Sequence, residues 1–466
     1  MQSLVRKLRS ESVKYLVWVG LCFALTSAIY LSWLDRLVQL AGSPAADWCS
    51  MVAGYFCQAA GLGVAQYLIR RDPSGGAARA FSPAALLLAA VSVPALLAHA
   101  IPGAVCFGLL MNLLCGVIAG FYLYGIAARV DERRRSLVFG GGYALATVAV
   151  GLLALIGGGA LVRGRCALLV YLPLTAGLLL VTSRLRPLQA EHSAPTPEAP
   201  LDPDARTLAL ACGVVVLISA VKNLGFGFPS SDIMAGLIPE VSRLPYAAGL
   251  AAAGLIHDGD RKRGLVCTVA ALIVPFIMLG LTGEPVSRAV FWGLDYVFYG
   301  FFSVFRAVLF LDLAGRTRRW ALAPVGLLMG RLGDAAGTSV CILLGGSRIA
   351  LITVSAVLFI PSVFLLLRLY QRLYQPEAAR QKTEQEVFET FCLHNDLSAR
   401  EREIFRMLIE SRTNGEIAEA LFISENTVKY HVRNVLQKTG CKNRGELQKK
   451  YTLALYPDLQ AQGRGA

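Results

Sequence analysis

The chain has 466 residues, 55% of them hydrophobic and only 16% charged, with a formal net charge of +14 and a mean hydropathy of +0.55. Soluble domains carry roughly 25% charged residues, so this composition excludes an ordinary soluble protein and asks for an apolar solvent around much of the chain. The cationic surplus alone would suit nucleic acid, but much of it sits in short loops between apolar runs, where it carries topological meaning.

Residues 1–10 hold Arg6, Lys7 and Arg9, and an apolar run follows at 13–34. That run exceeds the core of a cleaved signal peptide and can span the roughly 30 Å of hydrocarbon in a bilayer, which predicts a retained helix. Further runs lie at about 48–69, 81–101, 103–128, 137–160 and 166–182, then at 207–228, 235–256, 264–281, 287–311, 321–344 and 348–367. The prediction is an all-α membrane bundle of twelve spans.

Cations set the orientation. With the N-terminus cytoplasmic, inside loops hold Arg70, Arg71 and Arg79, then Arg129 and Arg133 to Arg135, then Arg184, Arg186 and Arg206. Arg261, Lys262 and Arg263, and later Arg316, Arg318 and Arg319, continue the pattern, whereas SSD at 230–232 and TGEP at 282–285 are cation-free outside loops. Arg163, Arg165 and Arg348 oppose the trend. An even number of crossings returns the C-terminus to the cytoplasm of a multi-pass inner-membrane protein, where DNA is.

Residues 189–204, QAEHSAPTPEAPLDPD, are rich in Pro and Ala and can build neither a core nor a span. They divide the chain into a six-helix half at 1–186, a cytoplasmic linker at 187–206 and a second six-helix half at 207–370. Six plus six helices about such a loop resembles the major facilitator superfamily of transporters. AGLIHDGDRKRG at 253–264 is similar to that family's loop motif, with Asp258, Arg261 and Arg263 at shifted spacing. The corresponding loop LIRRDPSGG departs further.

Ionisable groups inside spans cost roughly 2.5–3.5 kcal/mol each on insertion scales, so each needs a partner, a cavity or a function. The first half has few polar residues, Gln58, Gln66, His99 and Asn112. The second half holds Lys222 and Asn223, Glu240 and Arg243, Asp295 and Arg306, and Arg331 and Asp334. Glu240–Arg243 and Arg331–Asp334 are i,i+3 and can meet on one helix face, while Asp295 and Arg306 share a face three turns apart and cannot touch. The topology puts Lys222, Glu240, Arg243 and Asp295 in the outer half of the bilayer and Arg331 and Asp334 near its middle. These eight residues fit either a hydrated site for a small polar ligand, an anion being favoured, or salt bridges that only fix packing. The eleven cysteines show no paired spacing and predict neither metal nor disulfide. No nucleotide loop, nucleophile elbow or HExxH motif occurs, so neither an enzyme nor a cofactor is expected.

Residues 371–396 are polar, and 377–392 form a predicted helix with Val387, Phe388 and Phe391 as its apolar stripe. It could transmit a rearrangement or serve as a spacer. The last segment, 397–451, changes character: short amphipathic helices are predicted at about 398–410, 414–421 and 425–438, with a fourth from about 443. Ser398 with Glu401, and Ser424 with Thr427 or Val428, are candidate N-terminal caps. From 426 to 450 there are seven cations and one anion, Glu446. Two short helices about a tight turn, followed by a basic face, form a helix-turn-helix suited to phosphate contact.

This segment resembles the LuxR-type (NarL-type) DNA-binding domain through Leu397, Arg400, Glu401 and Glu403, through NGEIAEALFIS at 414–424, through TVKYHVRN at 427–434, and through Lys438, Gly440, Asn443 and Arg444. Departures are Ser411 at the usual turn glycine, Gly415 at a usual lysine, and Cys441 at a common aliphatic. The resemblance implies that the third helix reads double-stranded DNA with Lys429, Tyr430 and Arg433. It implies phosphate contact by Thr427, adds Asn414, Asn434, Lys438, Lys442 and Arg444 to the DNA-binding set, and implies homodimers on DNA through the fourth helix. The resulting expectation, with the four-helix domain at 397–455, is a membrane-embedded one-component transcriptional regulator whose DNA binding answers to a small ligand in the membrane domain. The alternatives are a transporter carrying a regulatory DNA-binding tail and a constitutive DNA binder that the membrane part only localises.

Overall fold

The computed structural model describes residues 11–42, 44–72, 76–157, 159, 161–162, 165–185, 204–224, 239–272, 285–344, 347–373 and 375–455. Expectations for residues 1–10, for most of the 187–206 linker and for the 230–232 loop lie outside them. The chain separates into two compact units between Leu369 and Tyr370.

Within the described residues the first unit is built from α1 (Glu11–Ala41), α2 (Pro44–Arg71), α3 (Gly76–Leu97), α4 (Ile101–Arg129), α5 (Arg135–Ile156), α6 (Leu168–Arg184), α7 (Ala205–Leu224), α8 (Leu244–Gly259), α9 (Arg261–Ala271), α10 (Pro285–Thr317), α11 (Val325–Leu343) and α12 (Arg348–Leu373). A single helical turn, Pro239–Ser242, precedes α8 and breaks at Arg243, so the predicted eighth span is interrupted within its described part. Among the described residues eight helices are long and apolar enough to cross a membrane, and α6 is a shorter apolar helix. The apolar window of α10 is 89% buried and that of α12 only 22% buried, so α10 runs through the bundle while α12 turns Ile349, Val357, Ile360 and Phe364 outward. Such a continuous apolar face is stable against lipid and not against water.

The two sets of six helices meet chiefly through α2 against α11 and α5 against α8, and α10 also packs on α4 and α5. Small residues permit the close approaches. A Cβ at Gly333 would overlap the Val216 carbonyl oxygen and one at Gly337 the Ala220 carbonyl oxygen, so α11 can lie against α7 only because both positions are glycine.

A cluster of charges joins α5, α8, α9 and α10. Asp258 accepts the Ser136 and Leu137 backbone N–H groups at 3.0 and 2.8 Å, at the start of α5. Arg261 donates to Asp312 at 2.8 Å and to the Ser136 hydroxyl at 2.9 Å, while Arg135 approaches Asp312 at 3.6 Å and Arg316 pairs with Glu132 at 2.7 Å. Arg263, placed in the same motif by sequence, instead pairs with Asp260 on the exposed side.

The second unit contains α13 (Gln375–His394), α14 (Ala399–Ile409), α15 (Asn414–Leu421), α16 (Glu425–Thr439) and α17 (Arg444–Leu455). Its core includes Phe388, Phe391 and Cys392 of α13 together with Ile404, Phe405, Leu408, Ile417, Val428, Val435, Leu447 and Tyr451. Phe388 and Phe391 stack on Phe405 at 5.4 and 5.1 Å, and Tyr451 meets Phe391 edge-on at 5.5 Å. The polar helix before the helix-turn-helix is therefore a structural part of this unit.

Candidate functional site

In the second unit, local chemistry fixes each helix start. Ser398 and Glu401 form a reciprocal capping box on α14, and Ser424 accepts the Thr427 N–H to cap α16. Each such cap contributes about 1 kcal/mol. Thr413 and Glu416 form a second capping box on α15, at the T-x-x-E spacing such boxes require. Ser411 occupies the turn with φ +62, the left-handed conformation that glycine adopts most easily. Gln448 holds that turn by donating to the Leu408 carbonyl at 2.9 Å and to the Ser411 hydroxyl at 3.2 Å. Phe422 is also left-handed, and it is 94% exposed at the turn between α15 and α16.

Helix α16 buries Val428, Val432, Val435 and Thr439 along one stripe and exposes Asn426, Thr427, Lys429, Tyr430, Arg433 and Gln437. The helical period thus separates a face locked into the core from a face offered outward. Tyr430 is 63% exposed and packs edge-on to His431. Asn434 is half-buried. Beside this face an open cleft of about 530 Å³ is lined by Asn414, Lys429, Arg433, Gln437, Lys442 and Arg444 among others, with four cations and no carboxylate among its described lining residues. Such a surface suits the charge of a phosphate backbone.

Three of the seven cations between 426 and 450 have work inside the fold. Lys438, expected among the DNA contacts, donates to the buried Glu401 carboxylate at 2.7 Å and to the Asp396 carbonyl at 2.9 Å. Burial raises the Glu401 pKa, but the Lys438 hydrogen bond and the Ser398 backbone and hydroxyl outweigh it and hold the carboxyl below its ordinary value. Arg444 donates to the Arg412 carbonyl at 3.0 Å and to Asn414 Oδ1, tying α17 to the start of α15. Lys450 donates to the Thr439 carbonyl at 2.6 Å. Lys429, Arg433, Lys442 and Lys449 stay on the exposed surface.

In the first unit a cavity of about 140 Å³ is lined by α1, α2, α4, α5, α7, α8, α10 and α11, with Arg243 at the break before α8. Among the described residues four cations face it, Lys222, Arg243, Arg306 and Arg331, and no carboxylate is in its lining. Behind them Asp334 is fully buried and receives three of the four: Lys222 at 3.2 Å, Arg306 at 3.0 Å and Arg331 at 3.1 Å. Asn223 reinforces this arrangement by donating to the Asp334 carbonyl at 2.9 Å and to the Thr338 hydroxyl at 3.0 Å. The intrahelical Arg331–Asp334 pairing follows from sequence spacing. The three-to-one convergence does not: the predicted topology sets Lys222 in the outer half of the bilayer and spacing relates Arg306 only to Asp295, too far away to touch, whereas contact with Asp334 brings Lys222 and Arg306 to the same level. Asp295 and Glu240 are buried nearby in sequence terms, on α10 and on the turn before Arg243, and neither is in the cavity lining.

Tyrosines form much of the remaining wall. Arg331 lies over the Tyr55 ring at 5.4 Å, Lys222 lies 6.0 Å from the Tyr299 centroid, and Arg243 donates to the Tyr296 hydroxyl at 3.2 Å. Phe23 and Tyr143 stack at 4.0 Å, and Gln58, also in the lining, donates to Asn112 at 2.7 Å. The first six helices therefore supply Tyr30, Tyr55, Tyr122 and Tyr143, which a search for charges alone passes over. Their signal in the sequence is aromatic hydroxyls set inside apolar runs.

Comparison with known proteins matches the C-terminal segment to a family and most of the chain to a known fold. Residues 395–450 match the family model described as bacterial regulatory proteins, luxR family. The spore germination protein GerE of Bacillus subtilis (strain 168) is 50% identical over 50 residues, which are 11% of this chain and 68% of that protein. The CsgBAC operon transcriptional regulatory protein of Escherichia coli (strain K12) is 52% identical over 48 residues, 10% of this chain and 22% of that one. The transcriptional regulatory protein LiaR of B. subtilis is 45% identical over 51 residues, 11% of this chain and 24% of its own. The chain thus spans less than a quarter of the latter two regulators. Over 76% of this chain and 99% of the other, the fold matches the crystal structure of the human organic anion transporter MFSD10 (TETRAN), with a TM-score of 0.55 and 16% identity. At that identity the likeness concerns the fold alone, and it accompanies a bundle with eight membrane-length apolar helices among the described residues. The chain belongs, through its C-terminal DNA-binding module, to the luxR family of bacterial regulatory proteins.

Proposed function

We propose that this chain is a membrane-embedded, one-component regulator of transcription. The twelve helices of the first unit cross the bacterial inner membrane with both termini in the cytoplasm, in two halves of six, and the luxR-type unit binds double-stranded DNA as a homodimer. A small ligand held in the cavity of the first unit biases it between two states, and that bias controls DNA binding. A ligand with equal affinity for both states would change nothing.

The observation that carries this reading is the joining of a luxR-family DNA-binding module to a cavity-bearing membrane bundle in one chain, with one residue between the end of α12 and the start of α13. Helix α13 contributes Phe388 and Phe391 to the core of the DNA-binding unit, so a change arriving along α12 enters that core directly through the covalent chain. The test is genome-wide occupancy and transcription by the full chain with and without candidate ligands. Ligand-dependent occupancy, lost in Lys429→Ala with Arg433→Ala and also altered by Tyr55→Ala, is the expected result. Ligand-independent transcription matching that of the 375–466 fragment would overturn it.

A second reading, a transporter carrying a regulatory DNA-binding tail, draws support from the cavity wall. Helices of both sets of six line that cavity, as a transport pathway requires. Uptake by reconstituted full-length protein, abolished by Arg331→Gln, would establish it.

A further inference from the structure

We infer that the cavity of the membrane unit takes a small organic anion with one aromatic ring, an aryl carboxylate being its simplest form. This deepens the proposed sensing role and rests on it only for the consequence of binding, not for the binding itself.

The charge argument compares two polar clusters in the same unit. The one at α5, α8, α9 and α10 sets Arg135, Arg261 and Arg316 against Glu132, Asp258 and Asp312 and is balanced, as a purely structural network should be. At the cavity, by contrast, Lys222, Arg306 and Arg331 converge on the single carboxylate of Asp334, so three cations share one anion there. Positive charge gathered in this way inside a bilayer is costly, and a small anion entering the cavity lowers that cost. Lys222, Arg243, Arg306 and Arg331 all line the cavity, and no carboxylate is among its described lining residues, so an entering anion meets positive charge with no described carboxylate opposing it. Asp334 holds Lys222, Arg306 and Arg331 from behind, which fixes their ammonium and guanidinium groups before any ligand arrives. Guanidinium forks held in this way suit a carboxylate better than a point charge does.

The ring argument rests on the walls. Seven tyrosines line the cavity, and Phe23 and Tyr143 already stack there at 4.0 Å with their planes 3° apart. Aromatic faces favour a flat partner, and their hydroxyls add donors toward an anion. Size suits a small ligand: about 140 Å³ is close to the roughly 150 Å³ of an engineered protein cavity that admits one benzene ring, which fits a single ring with a short acidic arm.

The experiment uses full-length wild-type protein in detergent or nanodiscs and follows thermal protection by benzoate, phenylacetate and 3-phenylpropionate, each against its amide, its amine analogue and acetate. The expected result is protection by at least one of the aryl acids, at least tenfold weaker binding by its amide and by acetate, and none by the amine. Arg331→Gln and, as a milder variant, Tyr55→Phe should weaken the acid without removing the basal melting transition. Equal binding of acid and amide, equal binding of acetate, preference for the amine, or no protection by any aryl acid overturns the proposal. The two readings fail separately. An aryl acid that binds in the cavity yet leaves DNA occupancy unchanged at saturation upholds this inference and removes the sensing role. A neutral or cationic compound that switches transcription through the cavity removes this inference and upholds sensing.

Discussion

Lys222 Nζ stands 3.2 Å from Asp334 Oδ1, across the interface where α7 meets α11, and Arg306 and Arg331 reach the other oxygen of the same carboxylate. One anion therefore restrains three cations at the cavity wall. Removing one partner of a buried ion pair costs about 3–5 kcal/mol, because the other charge is left uncompensated. Asp334→Asn is accordingly expected to lower the melting temperature of the full chain in detergent markedly. Adding Lys222→Met should recover part of the loss by removing one of the three opposed cations. A D334N protein that melts with the wild type would show that the carboxylate does not hold the cluster.

In the DNA-binding unit, cations near one another in sequence should behave differently. Lys429 and Arg433 project from the exposed face of α16, and Lys438 is committed to Glu401 and the Asp396 carbonyl. Lys429→Ala and Arg433→Ala should each weaken operator binding by roughly 1–3 kcal/mol, about five- to 150-fold, with unit stability unchanged. Lys438→Ala should instead destabilise the unit, with weaker DNA binding only in proportion to the unfolded fraction. Binding isotherms paired with hydrogen exchange of the same variants separate the two; a purely DNA-side effect at Lys438 would contradict the assignment.

How much of this was legible in the sequence differs between the units. In the second unit, local rules act on neighbours. The Ser398–Glu401 box, the Ser424 cap and the Val428, Val432, Val435 stripe each follow from spacings of three or four, and the structure has all of them. The Thr413–Glu416 box obeys the same rule. In the first unit, hydropathy locates apolar runs but not which helices touch, since lipid and protein interior are equally apolar. Lys222 meets Asp334 only because Gly333 and Gly337 let α11 approach α7, a relation between distant segments that spacing along one helix cannot express. The same reasoning hid the tyrosine wall, whose members lie on six helices.

The role of α13 is open to direct test. Phe391 is buried against Phe405 and Tyr451, with ring centroids at 5.1 and 5.5 Å. Truncating a buried phenylalanine to alanine typically costs about 3–5 kcal/mol, a large part of the stability of a unit this small. Phe391→Ala should therefore raise hydrogen exchange throughout α14 and α17 of the full chain, and a 397–466 fragment should unfold at lower temperature than a 375–466 fragment. Equal stability of the two fragments would reduce α13 to a spacer.

Acid should loosen the DNA-binding unit through Glu401. Its carboxylate is buried, accepts from Lys438 at 2.7 Å and from the Ser398 N–H at 2.8 Å, and titrates below the ordinary 4.5 in the folded state. A carboxyl whose folded pKa is depressed binds protons more readily when unfolded, so its contribution to stability is complete above the unfolded value near 4.5. That contribution is lost as pH falls below this value and through the folded pKa, where protonation weakens the Lys438 bond and the helix cap together. Glu401→Gln keeps the shape but lacks the charge, and so should be less stable near neutrality and show a flatter acid limb. Hydrogen exchange of α14 and α16 in the full chain, followed from neutral pH to below pH 4, measures both. If wild type and E401Q lose protection in parallel over that range, another group carries the acid response.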